Sequence, residues 1–315
     1  MLVTPLNCES QSPYNILTID AEDWFCASAL REKINSRGED EWESRISHTL
    51  HRVLNLLEEE KARATFFVLG TVAERFPEIV QTIKQRGYEI ASHGYAHTSI
   101  YLQTKEEFKE DVKKSLRVLE NITKGKIKGY RAPNFSVTSD SLWAYEILAD
   151  LGIEYTSSIF PTKHILNAYG IPQAPKNPFV LKLDNGQSIV EFPLSTVRIL
   201  GKCFPFGGGA YLRLFPYWYN KWSIKRLNRR GKPAVIYFHP WELDSNQPRL
   251  DLNFLTRTRH YFNLDIMETK IRKLLRAFRF RGIEETLQNN LKTTPTSPQA
   301  VYNQILKSTQ TQKPC

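Results

Sequence analysis

Two short clusters hold residue types that could do chemistry together: Asp20-Ala21-Glu22-Asp23 and His93-Gly94-Tyr95-Ala96-His97. Two imidazoles four residues apart, joined by a carboxylate, can bind one divalent cation and leave its remaining positions to water and substrate. A second carboxylate then has separate work. It stays off the cation as a general base, taking a proton from a water whose pKa the ion lowers from about 16 towards ~7–9. Arg131-Ala132-Pro133 adds a guanidinium whose fork could orient and charge-balance that base. His239, in Tyr237-Phe238-His239-Pro240-Trp241-Glu242, could protonate a leaving amine. Trp24 and Trp241 stand beside these groups, and aromatic faces suit sugar rings. Each group also has a structural use: the acids as a helix N-terminus, Arg131 in a surface ion pair, the tryptophans in a core.

The elements that must position these residues alternate in type. Residues 14–20 read as a buried strand ending on Asp20. Residues 45–60 place Ile46, Leu50, Val53, Leu54 and Leu57 at helical spacing. A strand follows over 64–70, then a helix over 77–86 opened by Pro77 and closed by Gly87. Residues 88–91 form a strand running into His93, and 106–120 a helix with Phe108, Val112, Leu116 and Leu119 on one face. A short strand over 127–130 precedes Arg131. A helix over 140–151 leads to strands over 153–158, 189–193 and 234–238, the last ending at His239. This β-α alternation predicts an α/β fold with parallel strands. Asp20, His93, Arg131, Ser157 and His239 recur at strand C-terminal ends, the face where an α/β barrel collects its chemistry. Residues 1–13 read as a loose arm, 167–178 as a loop, Gly207-Gly208-Gly209 as a flexible crossing and 286–315 as a poorly ordered tail. Residues 14–285 make one domain.

Of the 315 residues 41% are apolar and 24% charged, which excludes a disordered chain. No apolar run approaches the ~20 residues of a membrane span. The net charge of +10 is regional: residues 192–241 hold nine Lys/Arg and no acid, and 257–281 hold eight against Asp265 and Glu268. Such a distribution invites an anionic partner, whether glycan, membrane surface or nucleic acid, against the plainer reading of a solvated face. Cys8, Cys26, Cys203 and Cys315 are scattered, which argues against a zinc–thiolate site or disulfide framework. With no basic, apolar leader at the start of the sequence, the expected compartment is the cytoplasm.

The ordered motifs Thr18-Ile19-Asp20-Ala21-Glu22-Asp23, Ala64-Thr65-Phe66-Phe67, His93-x-x-x-His97, Arg131-Ala132-Pro133, Ser157-Ser158 and Tyr237-Phe238-His239 resemble those of the polysaccharide deacetylases. These are the NodB-homology proteins of carbohydrate esterase family four. Gly129-Tyr130-Arg131-Ala132-Pro133, His239-Pro240-Trp241-Glu242, Gln247-Pro248-Arg249 and the stretch from Gly208 to Pro216 resemble one branch especially, the exosortase-associated polysaccharide deacetylases. In that branch a basic C-terminal extension would begin near residue 192.

The resemblance implies a distorted (β/α) barrel with fewer than eight parallel strands. It also implies metal-dependent removal of N-acetyl groups from amino sugars of a polysaccharide or its precursor, in exopolysaccharide biosynthesis. By position, Asp20 would be the general base, Asp23, His93 and His97 the metal ligands, Arg131 the partner of the base and His239 the general acid. Zinc would be the ion, with cobalt or nickel able to substitute, and a backbone N–H would help hold the oxyanion. Trp24, Pro133 and Trp241 are the expected substrate contacts.

The sequence departs from the family in two places. Ala21 and Glu22 intervene before Asp23, which makes Glu22 the rival carboxylate ligand. Thr156 also stands where the branch has an acid before its Ser-Ser pair. The expected partners are an N-acetylated glycan, lipid-linked in one reading, and an anionic inner-membrane surface, with nucleic acid disfavoured. Two other functions fit the same residues: hydrolysis of a non-sugar cyclic amide, and polyanion binding by a catalytically weak homologue.

Overall fold

The computed structural model describes residues 13–36, 42–162 and 170–290. All but the last residue of the expected arm over 1–13 and most of the expected tail (291–315) lie outside these residues, as do residues 167–169 of the expected loop.

The sheet is organised around β1 (Asn15–Ala21), whose seven residues are all buried. A continuous apolar strand such as Ile16-Leu17-Thr18-Ile19 can be covered on both faces only in a parallel sheet wrapped by helices. Outward from β1 on one side run β2 (Thr65–Val68), β3 (Glu89–Ser92), β4 (Gly129–Tyr130), β5 (Tyr155–Thr156) and β7 (Ser188–Glu191), all in parallel register. β6 (Phe179–Lys182) closes that edge antiparallel to β7. On the other side β10 (Val235–Phe238) pairs with β1, matching Ile16 to Val235 and Ile19 to Phe238. The short β11 (Phe280–Arg281) pairs with Asn15 and Ile16. The path runs β10-β1-β2-β3-β4-β5-β7-β6, a curled half-barrel with seven parallel strands along it. A separate hairpin, β8 (Thr196–Ile199) and β9 (Lys202–Pro205), stands off the main sheet.

Helices fill the crossovers as their apolar spacing dictates. α2 (Ile46–Glu59) turns Ile46, Leu50, Val53, Leu54 and Leu57 inward against Leu17 and Ile19 of β1. α3 (Gly70–Arg75) and α4 (Pro77–Gln85) link β2 to β3, and Pro77 sits at the N-terminus of α4, where its missing N–H costs nothing. Gly87 follows α4 at φ +72°, the left-handed position a glycine stop supplies. α5 (Lys105–Thr123) begins with a reciprocal cap: the Glu107 N–H donates to Thr104 Oγ1 and the Thr104 N–H to Glu107 Oε2. α6 (Ala144–Asp150) precedes β5. α1 (Arg31–Asn35) lies beside the first loop.

The second half differs more from expectation. β6, β8 and β9, with α7 (Gly209–Leu214), α8 (Tyr217–Asn228), α9 (Phe254–Tyr261) and α10 (Leu264–Ala277), are not among the expected elements, although α10 turns Leu264, Met267, Ile271 and Leu274 inward at helical spacing. Gly207 and Gly208 are not a free crossing. Gly208 bridges to Tyr237 beside β10, and a Cβ there would lie 1.8 Å from the Tyr237 ring, so only glycine permits the approach. α11 (Ile283–Asn290) runs through the first residues of the expected tail, and Thr286 anchors it by donating to the Gly282 carbonyl at 2.7 Å. Gly70, read as the end of a strand, is instead the first residue of α3.

Candidate functional site

The parallel strands deliver polar residues to one pocket at their C-terminal ends. Asp20 and Glu22 come from the end of β1, His93 and His97 from the loop after β3, and His239 from the residue after β10. Asn134, Phe135, Gly209, Ala210, Arg213, Tyr237, Trp241, Glu242, Arg259 and His260 complete the lining together with Ala27–Ala29. Three residues with left-handed backbone, His97, Asn134 and Phe135, all lie on this wall. Such conformations persist where surrounding packing enforces them, and they gather at functional sites.

Glu22, rather than the expected Asp23, stands with the imidazoles. Glu22 Oε2 lies 2.8 Å from His97 Nε2 and 3.7 Å from His93 Nε2, and the three residues form the one metal-type cluster among the described residues. Asp23 faces the other way. Its carboxylate caps the following turn by accepting the Trp24 N–H at 2.9 Å, and it also takes the Ser44 hydroxyl and the Arg45 N–H. The chain turns immediately after β1, so a one-residue shift exchanges the two acids. Burial raises the Asp23 pKa against those hydrogen bonds.

The donor set fits a divalent cation. His93 Nδ1 faces the Arg131 carbonyl at 2.9 Å, which places the ring proton there and leaves the Nε2 lone pair free. Glu22 Oε2 is a buried oxygen that no hydrogen bond satisfies. Burial works against charge on Glu22, yet the neighbouring imidazoles of His97, His239 and His93 outweigh it and hold the carboxyl well below its ordinary range.

Asp20 is held as a base would be. Arg131, fully buried, donates from Nη1 to Asp20 Oδ1 at 2.5 Å, from Nε to the Ser157 carbonyl at 3.0 Å and from Nη2 to Ser157 Oγ at 2.7 Å. Its guanidinium lies 4.2 Å from the centre of the Phe67 ring, with Phe135 and Tyr237 also close. Asp20 Oδ2 points to His239 Nε2 at 3.9 Å.

Thr156 has its partner across the sheet. Its hydroxyl donates to Glu191 Oε2 on β7, and Glu191 also accepts from Tyr145 OH, Ser158 N and Ile159 N, each at 2.9 Å. An acid is therefore present beside this position, supplied by the neighbouring strand. Burial raises the Glu191 pKa against all four donors. By fixing Ser158 and Ile159, Glu191 also fixes Ser157, the acceptor of Arg131.

His239 is backed by groups that sequence reasoning missed. Its Nδ1 lies 3.4 Å from Glu242 Oε1, the same oxygen that accepts Arg213 Nε at 3.1 Å. Arg213 is buried and also donates to the carbonyls of His260 and Arg259. Trp241 stacks on His239 at 5.1 Å and on His260 at 4.7 Å, while its Nε1 donates to Glu22 Oε1 at 3.4 Å. Burial lowers the His239 pKa, but Glu22, Glu242 and Asp20 overcome it and raise it to about 9, which leaves the imidazole protonated near neutral pH. Glu242 is held below its ordinary range: burial opposes this, and Arg213 and His239 prevail.

Two expected substrate contacts are elsewhere. Trp24 is fully buried, packed edge-on against Phe25 and Trp42, with its Nε1 donating to the Glu43 carbonyl. Pro133 is buried behind the wall that its neighbours Asn134 and Phe135 form. Trp241 does line the pocket.

Two segments of the chain match known families. Residues 39–156 match the family described as Polysaccharide deacetylase, and residues 157–288 match a Domain of unknown function, DUF3473. The peptidoglycan-N-acetylglucosamine deacetylase of Bacillus cereus is 31% identical over 96 residues, 30% of this chain and 35% of that protein. The chitooligosaccharide deacetylase of Azorhizobium caulinodans is 30% identical over 82 residues, 26% of this chain and 39% of that protein. The chain thus spans little more than a third of the length of these curated relatives. Among solved structures, a Mycobacterium smegmatis protein classed as a polysaccharide deacetylase superposes with a TM-score of 0.59 at 18% identity, covering 94% of this chain and 98% of its own. The PuuE allantoinase superposes at 0.56 with 13% identity, covering 90% and 91%, so the fold is shared more widely than the family. His93, His97 and Arg131 fall in the segment that matches the Polysaccharide deacetylase family, and Arg213, His239 and Glu242 in the segment that matches DUF3473.

Proposed function

We propose that this protein is a metal-dependent deacetylase that hydrolyses the acetamido group of an amino sugar within a polysaccharide or its precursor. The observation that carries the reading is the convergence of Asp20, Glu22, His93, His97 and His239 on one pocket, with Arg131 locked onto Asp20. Glu22, His93 and His97 hold the cation, zinc being suited to one carboxylate and two imidazoles. When bound, the ion supplies Lewis-acid polarisation of the acetamide carbonyl and acidifies a water. Asp20 accepts the proton of the attacking water, with Arg131 keeping the carboxylate ionised and oriented. Protonated His239 gives its proton to the departing amine nitrogen as the C–N bond breaks, leaving acetate and a free amino sugar. Trp241 offers a ring face at the pocket wall.

The family match supports the sugar class, and the Gly129–Pro133, His239–Glu242 and Gln247–Arg249 motifs support placement in the exosortase-associated branch. We therefore assign the substrate to an exported polysaccharide, deacetylated in the cytoplasm on a lipid-linked precursor. Acetate release from a panel of N-acetylated hexosamine oligomers, with zinc or cobalt supplied, tests the reading. His93→Ala should abolish release, and undiminished release would overturn the site. Small cyclic amides in the same panel separate the sugar class from the alternative amide class.

A further inference from the structure

The helix α8 turns Asn220, Ser223 and Ile224 inward and leaves the opposite face uncovered. At 100° per residue, positions 218, 222, 225 and 229 form one stripe. That stripe reads Trp218, Trp222, Lys225, Arg229, with Lys221 and Arg226 flanking it. Trp218 is 67% exposed and Trp222 39%. Two large aromatic side chains in water on one helix face are unusual for a soluble surface.

The charge is equally one-sided. Among the described residues, Lys221, Lys225, Arg226, Arg229 and Arg230 make no ion pair. No acid occurs anywhere between residues 192 and 241 to provide one. Trp222, Lys225, Arg226, Arg229 and Arg230 together line a small depression. Inside it, Arg226 Nε is buried without an acceptor, and its guanidinium lies 5.3 Å from the centre of the Trp222 ring. A buried cationic donor with nothing to donate to asks for an anionic oxygen.

A second element repeats the pattern. The β8–β9 hairpin packs against α8, and at its tip Leu200 is 99% exposed between Arg198 and Lys202. An apolar side chain ringed by cations gains nothing from solvent and little from a polynucleotide. Burial in acyl chains below a layer of phosphates satisfies the leucine, the tryptophans and the cations together.

We infer that the α8 face and the β8–β9 tip form a docking surface for an anionic phospholipid bilayer, with a headgroup phosphate seated in the Trp222–Arg226 depression. α7, which lines the catalytic pocket through Gly209, Ala210 and Arg213, is separated from α8 only by Phe215 and Pro216. The inference stands apart from the hydrolase reading, because its test needs neither metal nor glycan.

The full chain is sedimented with vesicles of phosphatidylcholine alone and of phosphatidylcholine mixed with phosphatidylglycerol, at low and high salt. Binding confined to the mixed vesicles and weakened by salt is expected. Trp218→Ser/Trp222→Ser and Lys225→Glu/Arg226→Glu/Arg229→Glu should each lower the partition coefficient at least about tenfold. Metal content and hydrolysis of soluble substrate should stay unchanged. Lys225→Gln/Arg229→Gln, which spares the buried face, covers a triple variant that fails to fold and should itself lose severalfold. Equal binding to neutral vesicles, binding to neither kind, unchanged partitioning in the variants, or retention on a polynucleotide without vesicle binding would each overturn the inference.

Discussion

The carboxylate of Glu242 backs the imidazole of His239: Oε1 lies 3.4 Å from Nδ1, so that Nε2 is turned to the pocket, 3.9 Å from Asp20 Oδ2 and 3.5 Å from Glu22 Oε1. The three-residue spacing makes this possible, because Pro240 starts a single helical turn that folds Glu242 back beneath His239. Glu242→Gln preserves the volume and removes the charge that orients the ring. The kcat for deacetylation should fall about 10²-fold with little change in KM, read by steady-state acetate release at saturating metal.

Arg213 is the counter-charge to that carboxylate, and both are buried. Arg213→Met would leave Glu242 ionised and buried with His239 as its remaining counter-charge. A loss of about 3–5 kcal/mol is expected in chemical denaturation; a loss below about 1 kcal/mol would show that the pair is not the support inferred here.

Glu22 and Asp23 should separate cleanly in metal content. After dialysis against dilute zinc, Glu22→Gln should show at least a tenfold weaker affinity, measured by elemental analysis and competition with a chromophoric chelator. Asp23→Asn should keep its metal and lose about 1 kcal/mol of stability with its cap. The reverse pattern would restore Asp23 as the ligand.

Arg131→Lys should be far from conservative. An ammonium cannot span Asp20, the Ser157 carbonyl and Ser157 Oγ at once. Activity should fall by at least about 10²-fold while metal binding through Glu22, His93 and His97 persists. Loss of both together would mean that Arg131 shapes the whole strand-end face.

His260 gives stability a pH dependence of known sign. Burial, then the charges of Arg213, Arg249, His239 and Arg259, hold its pKa well below the usual 6.5. The native ring stays neutral while the unfolded chain takes up a proton below about pH 6.5. The contribution of His260 is therefore intact above that pH and falls as the pH drops through it, by at most about 1.4 kcal/mol per pH unit, whereas His239, whose pKa is raised, contributes with the opposite sign between about pH 9 and 6.5. The urea midpoint at pH 7.5 and 5.5 measures the fall, and His260→Asn should shrink it.

The sequence exposes those site residues that sit where a strand stops. Asp20, His93, Arg131 and His239 each stand at or just after the end of a short strand, and an α/β pattern sends all such ends to one face. Glu22 was harder to read, because which of two neighbouring acids turns inward depends on the turn after β1 and on Ser44 and Arg45, twenty-odd residues away in sequence. Trp24 reads as a sugar platform or as core with equal ease, and packing with Phe25 and Trp42 decides for core. The role of Thr156 required the register of β5 against β7, which places Glu191 opposite. Arg213 had no local signal, since a cation on a six-residue helix declares its burial only once α9 and His260 surround it. The Glu242 spacing to His239 was visible and could have been read as a support.

The position of β1 sets the order in which activity can appear. β1, the first strand among the described residues, pairs on one flank with β10, over 200 residues later, and its first two residues wait still longer for β11. Closing so distant a pairing is slow, and it cannot begin until the chain past residue 238 has left the ribosome. A nascent chain carrying Asp20, Glu22, His93, His97 and Arg131 still lacks its proton donor and the Arg213–Glu242 support. On the proposed mechanism, acetate release should therefore require the chain through Glu242, and a product ending before β10 should be inert.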